Sequence, residues 1–485
     1  MRRIFQILTV LLLMVARDTL AQTKAVTDSS DLGEMSLEEL SNMKSRYKAT
    51  SMEKSINVAI EAASAKPLNL RKTPSVVSVI TDEDIERSGA NDLMVVLRMV
   101  PGIEFNVDVE GVVSISFRGM WANEGNIALR IDGHEVNDIA YASLQFGNHY
   151  SLAHIKKVEV IRGPGSALHG GCAEYAVISI TTKKGSEING VQATATGGEM
   201  NGIYSRRNIE VIAGGKKKDF EWSVGGMVAR GNRSNKTYTD AEGNSFGMAG
   251  NARLDNDALN AAVQYKGWSA RFIFDNYRTT NRDGDYIALS RPYPLDFRTI
   301  VTDVRHIRQW TKKMQTVVRL DNRQSQPWIF KGTPDPVDSN YGTYLFTGNR
   351  YRGNAAIFWE PDYRVTVNAG FEVYNDRALL ESGSVFRKDS TNTIGYMNYA
   401  PYGQVLIRSP FANFVVGGRY DVSSAFGSAF NPRLGLTRRL GIFNLKAMYG
   451  SSFRAPAIES IQSAITGDML KPERAHTMEV EASAT

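Results

Sequence analysis

The 485-residue chain is 42% hydrophobic and 22% charged, the balance of a folded protein and not of a disordered polymer. Past the N-terminus it has no long uncharged apolar run, which excludes a bundle of membrane-spanning helices and leaves a barrel or surface attachment as its routes to a membrane. The formal charge of +6 is spread along the chain with only short clusters such as Lys216–Lys218, the pattern of solvated loops or a barrel lumen, so nucleic acid is not an expected partner.

The chain begins with Arg2 and Arg3, the apolar run from Ile4 to Ala16, and Thr19-Leu20-Ala21 before Gln22. This is an export signal over 1–21, with Arg17 and Asp18 unusually placed before the cut. Residues 22–55 are polar, with one short helical signal where Ser36 and Glu39 have capping-box spacing, and read as a mobile leader. Ile56 to Ala63 is an extended, partly β-branched segment that could add as a strand to a partner's sheet edge.

A strand follows over Thr73–Thr81. Thr81-Asp82-Glu83-Asp84 then supplies a cap and an acidic first turn for a helix stopped by Gly89. From Asp92 to Val100 the spacing of Leu93, Val96, Leu97 and Val100 predicts a second helix with one core face. Val113–Gly119 and Ile127–Gly133 alternate with period two, as strands do. The segments after them, 120–126 and 137–151, mix aromatics with amides, the chemistry of a small-molecule site. Asp132, His134, Glu135 and Asp138 follow a strand at a Gly turn, where polar residues are ordinary, so no metal site is expected. His154 to Lys184 reads as strand, Gly/Pro turn, strand. Its Gly-rich turn lacks the Lys-Ser/Thr ending of a phosphate loop. Cys172, the single cysteine, excludes an internal disulfide and reads as a small buried hydrophobe.

From Gly190 onward short alternating runs repeat. Phe220, Trp222, Val224 and Val228 form one, Trp268, Ala270, Phe272 and Phe274 another, and Phe443, Leu445, Ala447 and Tyr449 a third. Each has the length that crosses an outer membrane when tilted, apolar toward lipid and polar toward the lumen. Asn232–Asn251, Thr279–Asp285 and Lys331–Asn349 are the expected longer loops.

Taken together, these motifs carry a family resemblance. Val158–Gly165, Ser166–Leu168, Gly170 and Val177–Lys183 resemble the end of the plug domain of TonB-dependent outer-membrane receptors, with His169 where an aromatic is usual and Cys172 and Ser179 replacing commoner residues. Val113–Gly119 and Ile127–Gly133 are similar to that plug's central strands, with Arg130 in a usually apolar place. Tyr449–Pro456 and Leu470–Glu473 resemble the family's barrel signatures. The implied fold is mainly β: a leader over 22–72, a small α+β plug domain over 73–185, and an antiparallel transmembrane β-barrel over 190–485. Roughly fourteen strands are legible where the family builds about twenty-two, so the chain is expected to be a fragment or truncated reading frame.

The resemblance also implies a function. It is uptake of a scarce ligand of the iron–siderophore or cobalamin class across the outer membrane of a Gram-negative cell, by a monomer that is no enzyme and carries no cofactor. The partners would be a TonB-type energy-transducing protein in the periplasm, a small-molecule ligand such as a metal chelate, and outer-membrane lipid. By position, Ile56, Asn57, Val58, Ala59, Ile60, Glu61, Ala62 and Ala63 form the TonB box. Arg118 and Arg162 match plug arginines that pair with barrel glutamates such as Glu479, a latch between plug and barrel. Trp121, Asn123, Tyr141, Gln145 and Phe146 lie on the loops expected to meet ligand. Haem ranks lower, because no histidine lies between Pro456 and Leu470. The alternatives are a passive porin or adhesin, or a non-functional truncated receptor.

Overall fold

The computed structural model describes residues 59–60, 68–69, 75–108, 111–163, 165, 167, 170–281, 292–330, 346–380, 391–463 and 470–484. The expected export signal, the expected leader, most of the proposed TonB box and residues 282–291 and 331–345 lie outside these residues. Strands β1 (Ala59–Ile60) and β2 (Leu68–Asn69) pair antiparallel, Ala59 opposite Asn69.

The α+β plug follows. Strand β3 (Val76–Thr81) runs into helix α1 (Asp82–Ser88) through a capping box, in which the Thr81 hydroxyl accepts from the Asp84 amide at 3.2 Å and the Asp84 carboxylate accepts from the Thr81 amide at 3.0 Å. Gly89, with φ of 67°, closes the helix as the sequence predicts. In helix α2 (Leu93–Arg98), Asp92 caps the Met94 amide at 2.9 Å, and Leu93, Val96 and Leu97 are fully buried on the expected face. Strands β4 (Ile103–Val107), β5 (Val113–Phe117) and β6 (Met120–Trp121) form a three-stranded sheet. Strands β7 (Ile127–Ile131), β8 (His134–Glu135), β9 (Ile155–Arg162) and β10 (Ala176–Thr182) join β3 in a second, ordered β3-β9-β10-β7-β8. The expected pair within His154–Lys184 is antiparallel β9 and β10, and β10 runs parallel to β7. Alternate residues Val158, Val160, Ile178 and Ile180 meet Leu97 and Leu129 in one core.

Helix α3 (Gly185–Ile188) leads to a fourteen-stranded sheet whose members each pair antiparallel with the next. It begins with β11 (Gly190–Met200), β12 (Ile203–Lys217) and β13 (Phe220–Gly231), then a small hairpin, β14 (Thr237–Thr239) and β15 (Ser245–Gly247), fills a long connection. It continues through β16 (Leu254–Tyr265), β17 (Trp268–Asn281), β18 (Tyr293–Thr311), β19 (Met314–Phe330), β20 (Phe346–Asp362) and β21 (Val365–Leu380). It ends with β22 (Thr393–Arg408), β23 (Asn413–Ser423), β24 (Gly427–Leu440) and β25 (Phe443–Arg454), then helix α4 (Ile458–Ser463) and β26 (Glu473–Ala484). Among the described residues β11 and β26 are edges and do not pair, so the sheet is open.

Period two sorts the strands into two faces. Along β24, Leu434, Leu436 and Leu440 are exposed while Arg433 and Thr437, in the opposite register, are buried. Large apolar and aromatic side chains dominate the exposed face, as lipid requires, and the other face meets the plug. That contact is close: a Cβ at Gly225 of β13 would overlap the His154 ring. The plug is also tied to the barrel at its second helix, since Asp92 pairs with Arg206 of β12 at 2.7 Å and accepts from the Asn148 amide at 2.6 Å.

Asp92 therefore has two separable duties. Replacing it with Asn keeps an N-cap acceptor, while replacing it with Ala also frees the Met94 amide, a further loss of about 1 kcal/mol. Both strand the half-buried Arg206, at about 3–5 kcal/mol. Denaturant unfolding of the detergent-folded protein should rank wild type above Asp92→Asn above Asp92→Ala; equal stability of the two variants would remove the capping duty.

Candidate functional site: the charged seam between plug and barrel

The turn between β7 and β8 is tight, with Asp132 at φ of 51° and Gly133 at 82°. It presents three polar side chains and three carbonyls to the barrel wall. Asp132 is oriented by Thr182, whose amide and hydroxyl donate at 2.9 and 2.8 Å, and pairs with Arg271 of β17 at 2.7 Å. Arg319 of β19 donates to the Gly133 carbonyl at 3.1 Å and to His134 Nε2 at 2.7 Å, while its Nε binds Asp303 of β18 at 2.7 Å. Burial and the neighbouring guanidiniums hold the His134 imidazole well below its ordinary range, so the ring is neutral and accepts.

Glu135 is the centre of the seam. Its Oε1 meets Arg323 of β19 at 3.2 Å and Arg350 of β20 at 3.5 Å, and Arg323 also donates to its carbonyl at 2.8 Å. Burial alone would raise this carboxyl, but Arg323 and Arg350 outweigh it and hold it down to about 2. Behind this pair the wall is neutralised strand by strand. Arg350 is bidentate to Asp376 at 2.6 and 2.7 Å, Arg352 binds Asp321 at 2.9 Å, and Arg419 bridges Glu372 at 2.7 Å and Asp421 at 2.9 Å. Arg130, unexpected in an apolar place, donates to the Gly133 carbonyl at 2.6 Å and stiffens the turn. The four residues Asp132, His134, Glu135 and Asp138 thus serve the seam and their own loop. Asp138 caps that loop, accepting from the Tyr141 and Ser143 amides, both at 2.7 Å. No group of three His, Cys, Asp or Glu that could hold a metal occurs among the described residues.

A second contact lies at His149. Its Nε2 faces Asp275 of β17 at 2.7 Å and its Nδ1 faces the Gln145 carbonyl at 2.7 Å, and the ring stacks between Tyr150 and Tyr277 at 4.1 and 4.3 Å. Both nitrogens meet acceptors, which favours the imidazolium; burial opposes it, but Asp275 and the carbonyl prevail and raise the pKa.

Of the residues assigned to a latch, Arg118 meets Glu479 of β26 at 2.7 Å, with half of its side chain exposed. Arg162 makes no ion pair among the described residues, and its buried Nε lacks a hydrogen-bond partner. Glu479 lies instead against Gly163. In the assigned box, Ala59 and Ile60 lie in the β1–β2 pair and the other six residues lie outside the described ones. The five assigned ligand residues separate. Asn123 and Phe146 are enclosed, the first accepting from the Leu144 amide at 3.2 Å and the second fully buried in the plug core. Gln145 is also buried and donates to Ser143 at 2.9 Å. Trp121 is 42% exposed. Tyr141 is half-buried, edge-on to Trp328 and Phe346 of the wall.

Sequence reasoning missed the arginine wall. Its only local signal is charge at alternate positions, Arg319, Asp321 and Arg323 on β19 and Arg350 and Arg352 on β20, the lumen-facing register of adjacent strands.

Among known families, residues 69–175 match the TonB-dependent Receptor Plug Domain and residues 195–482 the TonB dependent receptor-like beta-barrel. The Vitamin B12 transporter BtuB of Vibrio cholerae serotype O1 is 26% identical over 422 residues, 83% of this chain and 64% of the transporter. BtuB of Vibrio vulnificus is 36% identical over 117 residues, 23% of this chain and 18% of the transporter. Of solved structures, a mutant of the ferric enterobactin receptor PfeA of Pseudomonas aeruginosa aligns with TM-score 0.65 at 18% identity, covering 83% of this chain and 64% of the receptor. The siderophore receptor PirA of Acinetobacter baumannii aligns with TM-score 0.61 at 19% identity, covering 79% and 62%. The two structures share the fold, and the chain spans 64% of the length of the Vibrio cholerae transporter. These relatives are receptors and transporters, not enzymes. With plug and barrel matched in order, and with lipid-facing strands around a charged seam, the chain belongs to the TonB-dependent receptors, β-barrel proteins of the outer membrane.

Proposed function

We propose that this chain supplies the plug and barrel strands of an importer that takes up a scarce chelate, of the cobalamin or ferric-siderophore class, using energy delivered from the inner membrane. The observation that carries this reading is the seam: the plug is held in the lumen by buried charge pairs, which are strong when dry and are readily rehydrated when separated. In this reading ligand is met by Trp121 and Tyr141, which keep exposed or half-exposed ring faces. A periplasmic TonB-type partner engages Ile56–Ala63 by strand addition. Traction then opens the seam, with Arg118–Glu479 as a minor contact because half of the Arg118 side chain is in solvent. The vitamin B12 transporters and siderophore receptors it resembles support the ligand class.

Deleting Ile56–Ala63 from the full-length receptor should abolish energised uptake of labelled cobalamin or ferric siderophore and leave surface binding intact. Uptake that persists without an energised inner membrane would favour a passive pore instead.

The seam makes a separate prediction. Glu135 sits on the plug, not on a membrane-crossing strand, and its folded carboxyl is held at about 2 against an ordinary 4.5. A depressed folded value means that its contribution is complete above the unfolded value and disappears as pH falls through the folded one. That contribution amounts to about 3 kcal/mol. Protease protection of the plug should weaken between pH of about 4.5 and 2, and Glu135→Gln should start lower and respond less over that interval. A variant with wild-type protection throughout would show that Glu135 does not hold the plug.

A further inference from the structure

The connections at one end of the sheet are short: 218–219, 266–267, 312–313, 363–364, 409–412 and 441–442. In outer-membrane barrels the short turns face the periplasm. Beside these turns the outward face carries large aromatics, among them Trp310 at 50% and Tyr363 at 77% exposure, the belt expected where hydrocarbon gives way to headgroups.

Cations are interleaved with this belt on the same outward face. Lys217 stands opposite outward-facing Phe220 across β12 and β13. Lys266 lies over the Tyr265 ring at 5.2 Å, Arg308 over Trp310 at 3.9 Å and Arg364 over Tyr363 at 5.2 Å. Arg438 follows Leu434 and Leu436 in the exposed register of β24. All five are exposed, and none forms an ion pair among the described residues. The acids in the same turns, Asp219 and Asp362, form no ion pair with them among the described residues, and Asp362 accepts from the Arg364 and Val365 amides at 2.6 and 3.0 Å. A guanidinium laid on an interfacial tryptophan still has donors free on its outer edge, and phosphate is the acceptor found at that depth. Lumen-facing Arg350, Arg352 and Arg419, in contrast, are paired with carboxylates of their own wall.

We propose that this rim binds the phosphate headgroups of anionic glycerophospholipids in the periplasmic leaflet, through Lys217, Lys266, Arg308, Arg364 and Arg438. The apolar strand face above fixes the depth of the rim in the membrane, the aromatics hold the cations outward, and the charge selects the lipid. A soluble acidic protein is less suited, because it would have to displace the headgroups that already surround these side chains. This assignment does not depend on the ligand or energy coupling proposed above.

The test uses the full chain folded into phosphatidylcholine vesicles containing a trace of spin-labelled lipid, either phosphatidylglycerol or phosphatidylcholine. Electron spin resonance of the protein-associated fraction should show phosphatidylglycerol favoured roughly threefold or more, and about 0.5 M salt should erase most of the preference. The variant K217Q/K266Q/R308Q/R364Q/R438Q should associate equally with both lipids while retaining heat-modifiable migration. If that variant fails to insert, R308Q and K217Q singly should each lower the preference. Equal association of both lipids with the wild type overturns the proposal, as does a preference unchanged by salt and by the substitutions. Binding of soluble polyglutamate without lipid selectivity would overturn it in favour of an acidic protein partner.

Discussion

The structure depends on how the plug's charges are buried. A β-barrel built for a membrane turns its apolar residues outward, so its lumen is polar by default. Anything seated there must match polar groups with polar groups. The plug does so with one hairpin turn whose Asp132, Glu135 and carbonyls face Arg271, Arg319, Arg323 and Arg350. Leaving one such charge without its partner costs more than the pair contributes, so the wall carries its own acids at neighbouring positions. Asp376 holds Arg350 and Asp303 holds Arg319 from within the wall itself. Arg271 and Arg323 are the exceptions, since their ion pairs among the described residues are with Asp132 and Glu135 of the plug alone, and the Nε of Arg323 has no hydrogen-bond partner there.

The same period-two rule sets the outer face. Moving any strand by one residue would send Arg323 or Arg433 into lipid and Leu320 or Leu434 into the seam. Register is therefore enforced from both sides of the sheet at once. The plug obeys a different rule, with a small apolar core of its own around Leu97, Leu129 and Val160. It is a folded body that docks by charge.

What could be read from the sequence was whatever was local. Thr81, Asp84 and Gly89 announce the first plug helix because caps and stops act over one turn. Leu93, Val96, Leu97 and Val100 announce the second by spacing, and the strand–turn–strand from His154 became β9 and β10. The seam was not legible, because Glu135 and Arg323 are brought together only by closure of a long loop, and no short pattern records that pairing. The structural role of the amide-rich loops was illegible for a related reason. Asn123 and Gln145 look like ligand donors, but an irregular buried loop must satisfy its own backbone, and Asn137 shows how. Its side chain serves the Leu129 amide at 3.0 Å and the Ile127 and Ala142 carbonyls at 2.9 and 3.0 Å.

Strand order determines how a load would reach the seam. The sheet runs β3-β9-β10-β7-β8, so the strand nearest the N-terminus is one edge and the strand carrying Glu135 is the other. Just before β3, Ser75 is bound by the barrel, its hydroxyl by Arg433 and its carbonyl by Lys446 at 3.4 Å. Traction from upstream meets that contact first, then the β3–β9 ladder from Val76 to Thr81, and only then the body of the sheet. Hydrogen bonds of an edge strand can break in succession, each at modest net cost. The charge pairs at the far edge share one turn and must separate nearly together. The order of elements therefore places the small, sequential steps near the chain's N-terminal end and the large, concerted step at the wall.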